Sequence, residues 1–189
     1  MSTTASYIEE KPSKVKEKIA ALKVLIADDN FILQSVAKRF FVRAGVPEEN
    51  IVIVENGEDA VNLVRSGLCF DVIYMDELMP VMQGPEATLK IRELEKSMKL
   101  QSVIFTCSAS YLGVFPGANT RLEKPLNFEK LLVFLQKVVD STLELTEEGE
   151  HSSKENHQGI SPYVRLNWFS KRSLDEDNLD EIIDGRATS

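Results

Sequence analysis

The sequence predicts an α/β fold in which a five-stranded parallel sheet carries helices on both faces. Four short segments rich in β-branched residues are apolar almost throughout, which is typical of strands covered on both faces. Amphipathic stretches with the helical period lie between these segments. Because strands that alternate with helices favour right-handed crossovers, the pattern indicates a doubly wound, three-layer domain.

The elements follow one another in a regular order. The predicted strands are KVLIA (23–27), NIVIV (50–54), DVIYM (71–75), SVIFTC (102–107) and a weaker fifth at Thr120 to Glu123. The predicted helices span residues 30–44, 57–66, 85–97 and 127–140. Residues 21–143 are therefore expected to form one domain.

The two ends of the chain differ from this domain. Residues 1–20 mix Lys, Glu, Ser and Pro and are predicted to be a flexible leader, with a helical turn near residues 15–19. Residues 144–189 are predicted to be an acidic, largely disordered tail. Within this tail, residues 160–184 contain aromatic and aliphatic side chains. They indicate either a partner-binding motif that folds on contact, or a tail that has scattered apolar residues or folds back on its own domain.

Composition restricts the classes of function. The net charge of −8 argues against a nucleic-acid-binding surface, which needs clustered Lys and Arg. No apolar run approaches the roughly 20 residues that span a bilayer, and residues 1–20 lack the apolar segment of a signal peptide. Cys69 and Cys107 have no CxxC spacing and are expected to be free thiols in a reducing compartment. A cytoplasmic location follows as an expectation.

Carboxylates follow two of the predicted strands. Asp28 and Asp29 come after the first strand and Asp76 after the third. In the flavodoxin-like strand order 2-1-3-4-5 these strands are neighbours, and ligands of such sheets bind beyond the carboxyl ends of the strands. Three converging carboxylates require a positive partner, and a hard divalent cation such as Mg²⁺ is the expected one.

Two further side chains are expected at the same edge of the sheet. Lys124 follows the fifth strand and Ser108 follows the fourth. An aspartate beside Mg²⁺, an ammonium and a hydroxyl has what phosphoryl transfer needs, namely a carboxylate nucleophile and groups that neutralise the oxygens of the transferred phosphoryl. We therefore interpret Asp76 as a phosphoryl acceptor.

The motifs VLIADDN, DVIYMDELMPVMQGPEATLKIR, CSAS and LEKP, in this order, resemble the receiver domain of response regulators in two-component signalling. The resemblance covers about residues 21–143, and its third motif is similar to receivers of hybrid histidine kinases. It implies that Asp28, Asp29, Asp76 and the Leu78 carbonyl bind Mg²⁺, and that Asp76 takes a phosphoryl group from a histidine kinase or a histidine phosphotransfer protein.

The same resemblance implies roles for three more positions. Lys124 would pair with the acyl phosphate, Pro125 would follow a cis peptide bond, and Ser108 would supply the switch hydroxyl, with Thr106 as the second choice. This chain departs from the family at Arg121, where a Tyr or Phe switch residue is usual. The span from Ser108 to Gly117 is also short and contains Gly and Pro, so we expect the fourth helix, between the fourth and fifth strands, to be missing, short or irregular.

Two functions remain in view. The first is a stand-alone receiver that catalyses its own phosphorylation and dephosphorylation, is no dedicated enzyme, and signals by protein–protein interaction. The second is a receiver-like adaptor that binds a partner independently of phosphorylation, which Arg121 and the short segment favour. A phosphatase with an aspartyl nucleophile is disfavoured, because Leu78 occupies the place of its usual second carboxylate.

Overall fold

The computed structural model describes residues 14–108 and 114–149, with side chains described for 14–107 and 114–140. The strands are β1 Val24–Ala27, β2 Ile51–Val54, β3 Val72–Asp76, β4 Val103–Ser108 and β5 Thr120–Glu123. The helices are α1 (residues 14–21), α2 Phe31–Ala44, α3 Gly57–Arg65, α4 Gly84–Met98 and α5 Phe128–Gly149. The predicted strands and the helices of the domain are all present.

The five strands form one parallel sheet in the order β2-β1-β3-β4-β5. Alternate residues of the central strands enter two separate hydrophobic clusters, one on each face of the sheet. On β3, Tyr74 lies in the cluster that includes α2 and α5, whereas Ile73 and Met75 lie in the cluster that includes α3 and α4. Burial on both faces explains why the strand sequences are apolar without alternation.

The N-terminal boundary of the domain differs from the prediction of a flexible leader over residues 1–20. Residues 14–21 form α1, and Ile19 at 2% exposure belongs to the core cluster on the α2 and α5 side. The side-chain amide of Asn50 donates to the Ala20 carbonyl at 3.3 Å. Ile19 and the partly buried Val15 are apolar residues interspersed with charged ones, so composition concealed this contact. Residues 1–13 lie outside the described part.

The C-terminal boundary also differs, because α5 continues through residue 149 rather than ending near 143. The predicted partner-binding motif at 160–184 lies outside the described residues. Within residues 14–108 and 114–149, no helix is long and apolar enough to cross a membrane. Cys69 and Cys107 are both free thiols.

The connection from β4 to β5 contains no helix in its described part, residues 114–119, which form a turn instead. Arg92 of α4 holds this turn: its Nε donates to the Gly117 carbonyl and its Nη2 to Oδ1 of Asn119, both at 2.7 Å. Nη1 donates to the Ser102 carbonyl at 2.9 Å and pairs with the buried carboxylate of Glu95. One guanidinium thus joins α4 to the described part of the connection between β4 and β5, where we expected a missing, short or irregular helix.

Candidate phosphoryl-acceptor site

The carboxyl ends of β1 and β3 bring three carboxylates together. The two strands pair in parallel with Ala27 opposite Met75, so Asp28 and Asp76 leave the sheet side by side. Carboxylate oxygens of Asp28, Asp29 and Asp76 all lie within 4.8 Å of one another. The structure therefore gathers the residues that the sequence placed at this edge, and an all-oxygen set of this kind suits Mg²⁺.

Asp28 is fully buried and Asp29 is exposed. Oδ1 of Asp28 accepts the N–H of Asn30 at 2.9 Å, and Oδ2 accepts the hydroxyl of Tyr74 at 2.7 Å. The side-chain amide of Gln34 on α2 donates to the Asp28 carbonyl at 2.6 Å. Asp28 thus points into the molecule with its orientation fixed by several donors, while Asp29 faces the solvent.

Tyr74 and Gln34 are residues that the sequence analysis missed. Tyr74 stands in an otherwise aliphatic strand segment, and a buried tyrosine hydroxyl nearly always has a hydrogen-bond partner. That rule signals that Tyr74 reaches a polar group, but only the register of β1 against β3 shows that the group is Asp28. Burial, together with the neighbouring Cys107 and Asp28, raises the pKa of the Tyr74 hydroxyl far above its usual range.

Asp76 is 6% exposed and ends β3. Its Oδ1 accepts from Lys124 Nζ at 2.7 Å and from the N–H of Glu77 at 2.8 Å. Burial raises the pKa of Asp76, and the charge of Asp28 adds to this, while the hydrogen bonds from Lys124 and Glu77 oppose it. Asp76 is consequently a carboxylate with few water contacts, aimed at an ammonium.

Lys124 follows β5 and reaches both buried carboxylates. Its Nζ lies 2.7 Å from Asp76 Oδ1 and 3.4 Å from Asp28 Oδ2. Burial alone lowers the pKa of Lys124, but the hydrogen bond to Asp76 and the charges of Asp76 and Asp28 outweigh burial, so the pKa is raised. The Lys124–Pro125 peptide bond is cis, the geometry that the family resemblance implies.

The connection after β3 is packed tightly against Asp76. Gly84 donates its N–H to the Glu77 carbonyl at 3.0 Å, and a Cβ at Gly84 would lie 2.0 Å from the Asp76 carbonyl oxygen. Within the same connection, Val81 has a positive φ of 64°. Leu78, whose carbonyl is expected in the metal shell, has a 66% exposed side chain. The first turn of α4 therefore fixes the backbone of Asp76.

The residues that the family resemblance implies as switch positions lie on β4 and β5. Ser108 is the last residue of β4 and pairs with Glu123, immediately before Lys124, but its side chain is outside the described part. Thr106 is buried, and its hydroxyl has no hydrogen-bond partner among the described residues. Arg121 lies opposite Thr106 and is 7% exposed. The choice of Ser108 over Thr106 stays a prediction.

Comparison with known proteins agrees with this geometry. The family model of the response regulator receiver domain matches residues 24–136. The chain belongs to this family. Two-component response regulator 24 of Arabidopsis thaliana is 34% identical over 138 residues, which cover 72% of this chain and 95% of that protein. Hybrid signal transduction histidine kinase H of Dictyostelium discoideum is 41% identical over 71 residues, covering 38% of this chain and 5% of that protein.

Solved receiver domains share the fold. The receiver domain of the histidine kinase CKI1 from Arabidopsis thaliana, complexed with Mg²⁺ and BeF₃⁻, is 32% identical with a TM-score of 0.57, over 68% of this chain and 96% of that chain. A co-crystal structure contains the Saccharomyces cerevisiae phosphotransfer protein Ypd1 and the receiver domain of its downstream response regulator Ssk1. Its matched chain is 28% identical with a TM-score of 0.54, over 61% of this chain and 87% of that chain.

Proposed function

We propose that this receiver accepts a phosphoryl group from a phosphohistidine onto Asp76 and passes the signal on through protein–protein contacts. One observation carries the proposal: three carboxylates converge within 4.8 Å, and the ammonium of Lys124 lies 2.7 Å from Asp76. Carboxylates at this spacing repel one another in their ionised forms unless a cation binds between them. A structural role alone gives no reason to gather three acids at the open edge of a sheet.

The acidic cluster fits Mg²⁺, which Asp28, Asp29, Asp76 and the Leu78 carbonyl would hold. When bound, the ion would neutralise the oxygens of the transferred phosphoryl group. An oxygen of the Asp76 carboxylate attacks phosphorus, the phosphorus–nitrogen bond of phosphohistidine breaks, and the imidazole leaves with the bonding electrons. Lys124 balances charge on the resulting acyl phosphate, and Ser108, or Thr106 as the second choice, donates its hydroxyl to a phosphate oxygen.

Exposed apolar residues beside the acidic cluster support a protein as the phosphoryl donor. Phe31 and Ile32 at the start of α2 are 77% and 69% exposed, and Leu78 and Val81 after β3 are 66% and 77% exposed. These residues follow β1 and β3, which are neighbours, so they lie at the same edge of the sheet as Asp76. Exposed aromatic and aliphatic groups next to a functional site are typical of a protein-binding surface.

The donor surface has its own test. In Phe31→Ser, phosphotransfer from a histidine phosphotransfer protein should slow about tenfold through loss of an apolar anchor. Phosphorylation by acetyl phosphate, which needs no protein contact, should keep its wild-type rate. Equal rates for wild type and variant with the protein donor would contradict docking at this surface.

The proposed function is tested with a histidine phosphotransfer protein that carries a radiolabelled phosphohistidine. With Mg²⁺, label should move to the wild-type chain and not to Asp76→Asn, and chelation of Mg²⁺ should abolish transfer. Label that appears equally on Asp76→Asn would contradict Asp76 as the acceptor. Ser108→Ala and Thr106→Ala should then differ in the response to phosphorylation, with the Ser108 variant losing it.

A receiver-like adaptor is the second candidate, and Arg121 favours it. This arginine is buried on β5 where an aromatic switch residue is usual, and residues 114–119 contain a turn in place of a helix. An adaptor would bind its partner whether or not Asp76 carries a phosphoryl group. Absence of label on the wild-type chain in the experiment above would support the adaptor.

Three further statements belong to the proposal. The chain is no dedicated enzyme, because the chemistry proposed for it acts only on its own Asp76. It acts in the cytoplasm, in keeping with two free cysteines. A second protein partner binds the motif at residues 160–184, and nucleic acid is not a ligand, in keeping with the net charge of −8.

A further inference from the structure

Tyr74 carries a polar hydroxyl inside the hydrophobic core, on the face of β3 that packs against α2 and α5. Its side chain is 1% exposed, and its ring lies 5.3 Å from that of Phe105. Tyr74 pairs with Ile26 on β1, two residues before Asp28, and stands two residues before Asp76. The side chain therefore reaches the acidic cluster from the core side. Neither the phosphoryl donor nor solvent can contact it there.

The neutral hydroxyl of Tyr74 donates a hydrogen bond to the buried carboxylate of Asp28. Oδ2 of Asp28 accepts this hydroxyl at 2.7 Å, whereas Lys124 Nζ lies 3.4 Å from the same oxygen. The ammonium is closer to Asp76, at 2.7 Å. Because a buried carboxylate oxygen strongly favours a donor, Asp28 without the hydroxyl would compete with Asp76 for the ammonium.

We infer that Tyr74 is a positioning residue of the acceptor site: by satisfying Asp28, its hydroxyl leaves the ammonium of Lys124 on Asp76. The inference rests on the proposed function, since Asp76 is the atom group that reacts. A tyrosine is suited to this task because its hydroxyl adds no charge. The three carboxylates thus keep their full attraction for a divalent cation.

Removing the hydroxyl should move the ammonium and slow the chemistry. Tyr74→Phe keeps the ring and its contact with Phe105, so the core stays filled. At saturating Mg²⁺, phosphorylation by acetyl phosphate should slow about tenfold, the value expected for one hydrogen bond to a charged group. Thr88→Val is the matched control, because it removes a buried hydroxyl that has no hydrogen-bond partner among the described residues. Its rate should stay within about a factor of two of wild type.

A double-mutant cycle separates positioning from packing. In an Asp28→Asn background, where no buried anion competes for Lys124, adding Tyr74→Phe should change the residual rate by no more than about a factor of two. Equal slowing by Tyr74→Phe in both backgrounds would overturn the inference, because packing alone would then explain it. A wild-type rate for the single variant would overturn it as well.

A structural readout keeps the inference apart from the proposed function. Crystals of the full chain without Mg²⁺ should show Lys124 nearer Asp76 in wild type and nearer Asp28 in Tyr74→Phe. Lys124 that stays on Asp76 in the variant overturns the inference even if phosphorylation of the variant is slowed. If the wild type accepts no phosphoryl group, the proposed function fails, and the position of Lys124 still decides what Tyr74 does.

Discussion

Replacing Gly84 with alanine should disable the acceptor site through its backbone. The added Cβ would lie 2.0 Å from the Asp76 carbonyl oxygen and 3.2 Å from a side-chain carbon of Met75. An ordinary contact between non-bonded heavy atoms is about 3.5 Å, so the first turn of α4 and the end of β3 must separate by about 1 Å or more. The Asp76 carbonyl is a backbone group, so it cannot rotate away from the added Cβ as a side chain could.

Two effects of Gly84→Ala oppose each other. Alanine in a helix is favoured over glycine by about 1 kcal/mol, which would stabilise α4. Overpacking against a rigid neighbour costs about 1 to 3 kcal/mol, and a 1 Å displacement of a reacting group can lower its rate about 100-fold. The clash should therefore win, with a net loss of stability and a larger loss of phosphorylation rate.

The assay compares urea unfolding and acetyl phosphate phosphorylation of Gly84→Ala with those of Gly67→Ala. Gly67 has a positive φ of 95° with no heavy atom near the added Cβ, so its variant carries backbone strain of about 1 kcal/mol without a clash. Gly67→Ala should lose stability and keep its rate. If Gly84→Ala phosphorylates at the wild-type rate, tight packing of α4 on Asp76 does not fix the site.

Three further predictions concern single groups outside the reacting atoms. Arg92→Met leaves the buried Glu95 carboxylate without its cation and should lower the free energy of unfolding, measured by urea titration, by about 3 to 5 kcal/mol. The control Lys90→Met breaks an exposed ion pair with Glu86 and should lower it by less than about 1 kcal/mol. Burial raises the pKa of Asp71 to about 6, so the folded state binds the proton of Asp71 more tightly than the unfolded state does, and the stabilisation that this proton gives should be lost as pH rises from about 4 to 6. Asp71→Asn should remove this loss, so that its stability relative to wild type grows by up to about 3 kcal/mol over that interval; a constant difference would contradict the raised pKa. Asn30→Ala removes an N-cap that accepts two N–H groups of α2 and should cost about 1 kcal/mol in thermal unfolding, most of which Asn30→Ser should restore.

The sheet could be predicted because its central strands, such as β1 and β3, are buried on both faces. Continuous apolar segments such as residues 24–27 leave little choice of structure, and each polar residue just beyond such a segment marks the edge where strands end. Asp28 and Asp76 were predicted in this way and Lys124 from the weaker fifth strand, and the structure brings the three side chains together. The position of these residues at the end of a strand was enough to predict that their side chains meet at one edge of the sheet.

Contacts that depend on three-dimensional register could not be predicted. Tyr74 looked like one more strand residue, and its bond to Asp28 exists only because β1 and β3 align as they do. The clamp of Arg92 on the turn before β5 depends on how α4 packs over a connection of unusual length. The helix at residues 14–21 was predicted only as a turn near residues 15–19, since its charged residues leave few apolar positions to mark the face that packs on the core, Ile19 and Val15 among them.

The most direct test of the acceptor site needs no partner protein. The chain is incubated with acetyl phosphate and Mg²⁺, and its intact mass is measured for wild type and Asp76→Asn. We expect wild type to gain the mass of one phosphoryl group, and neither Asp76→Asn nor wild type with a chelator to gain it. A wild-type mass that does not change, or an equal gain by Asp76→Asn, would contradict the assignment of Asp76 as the phosphoryl acceptor.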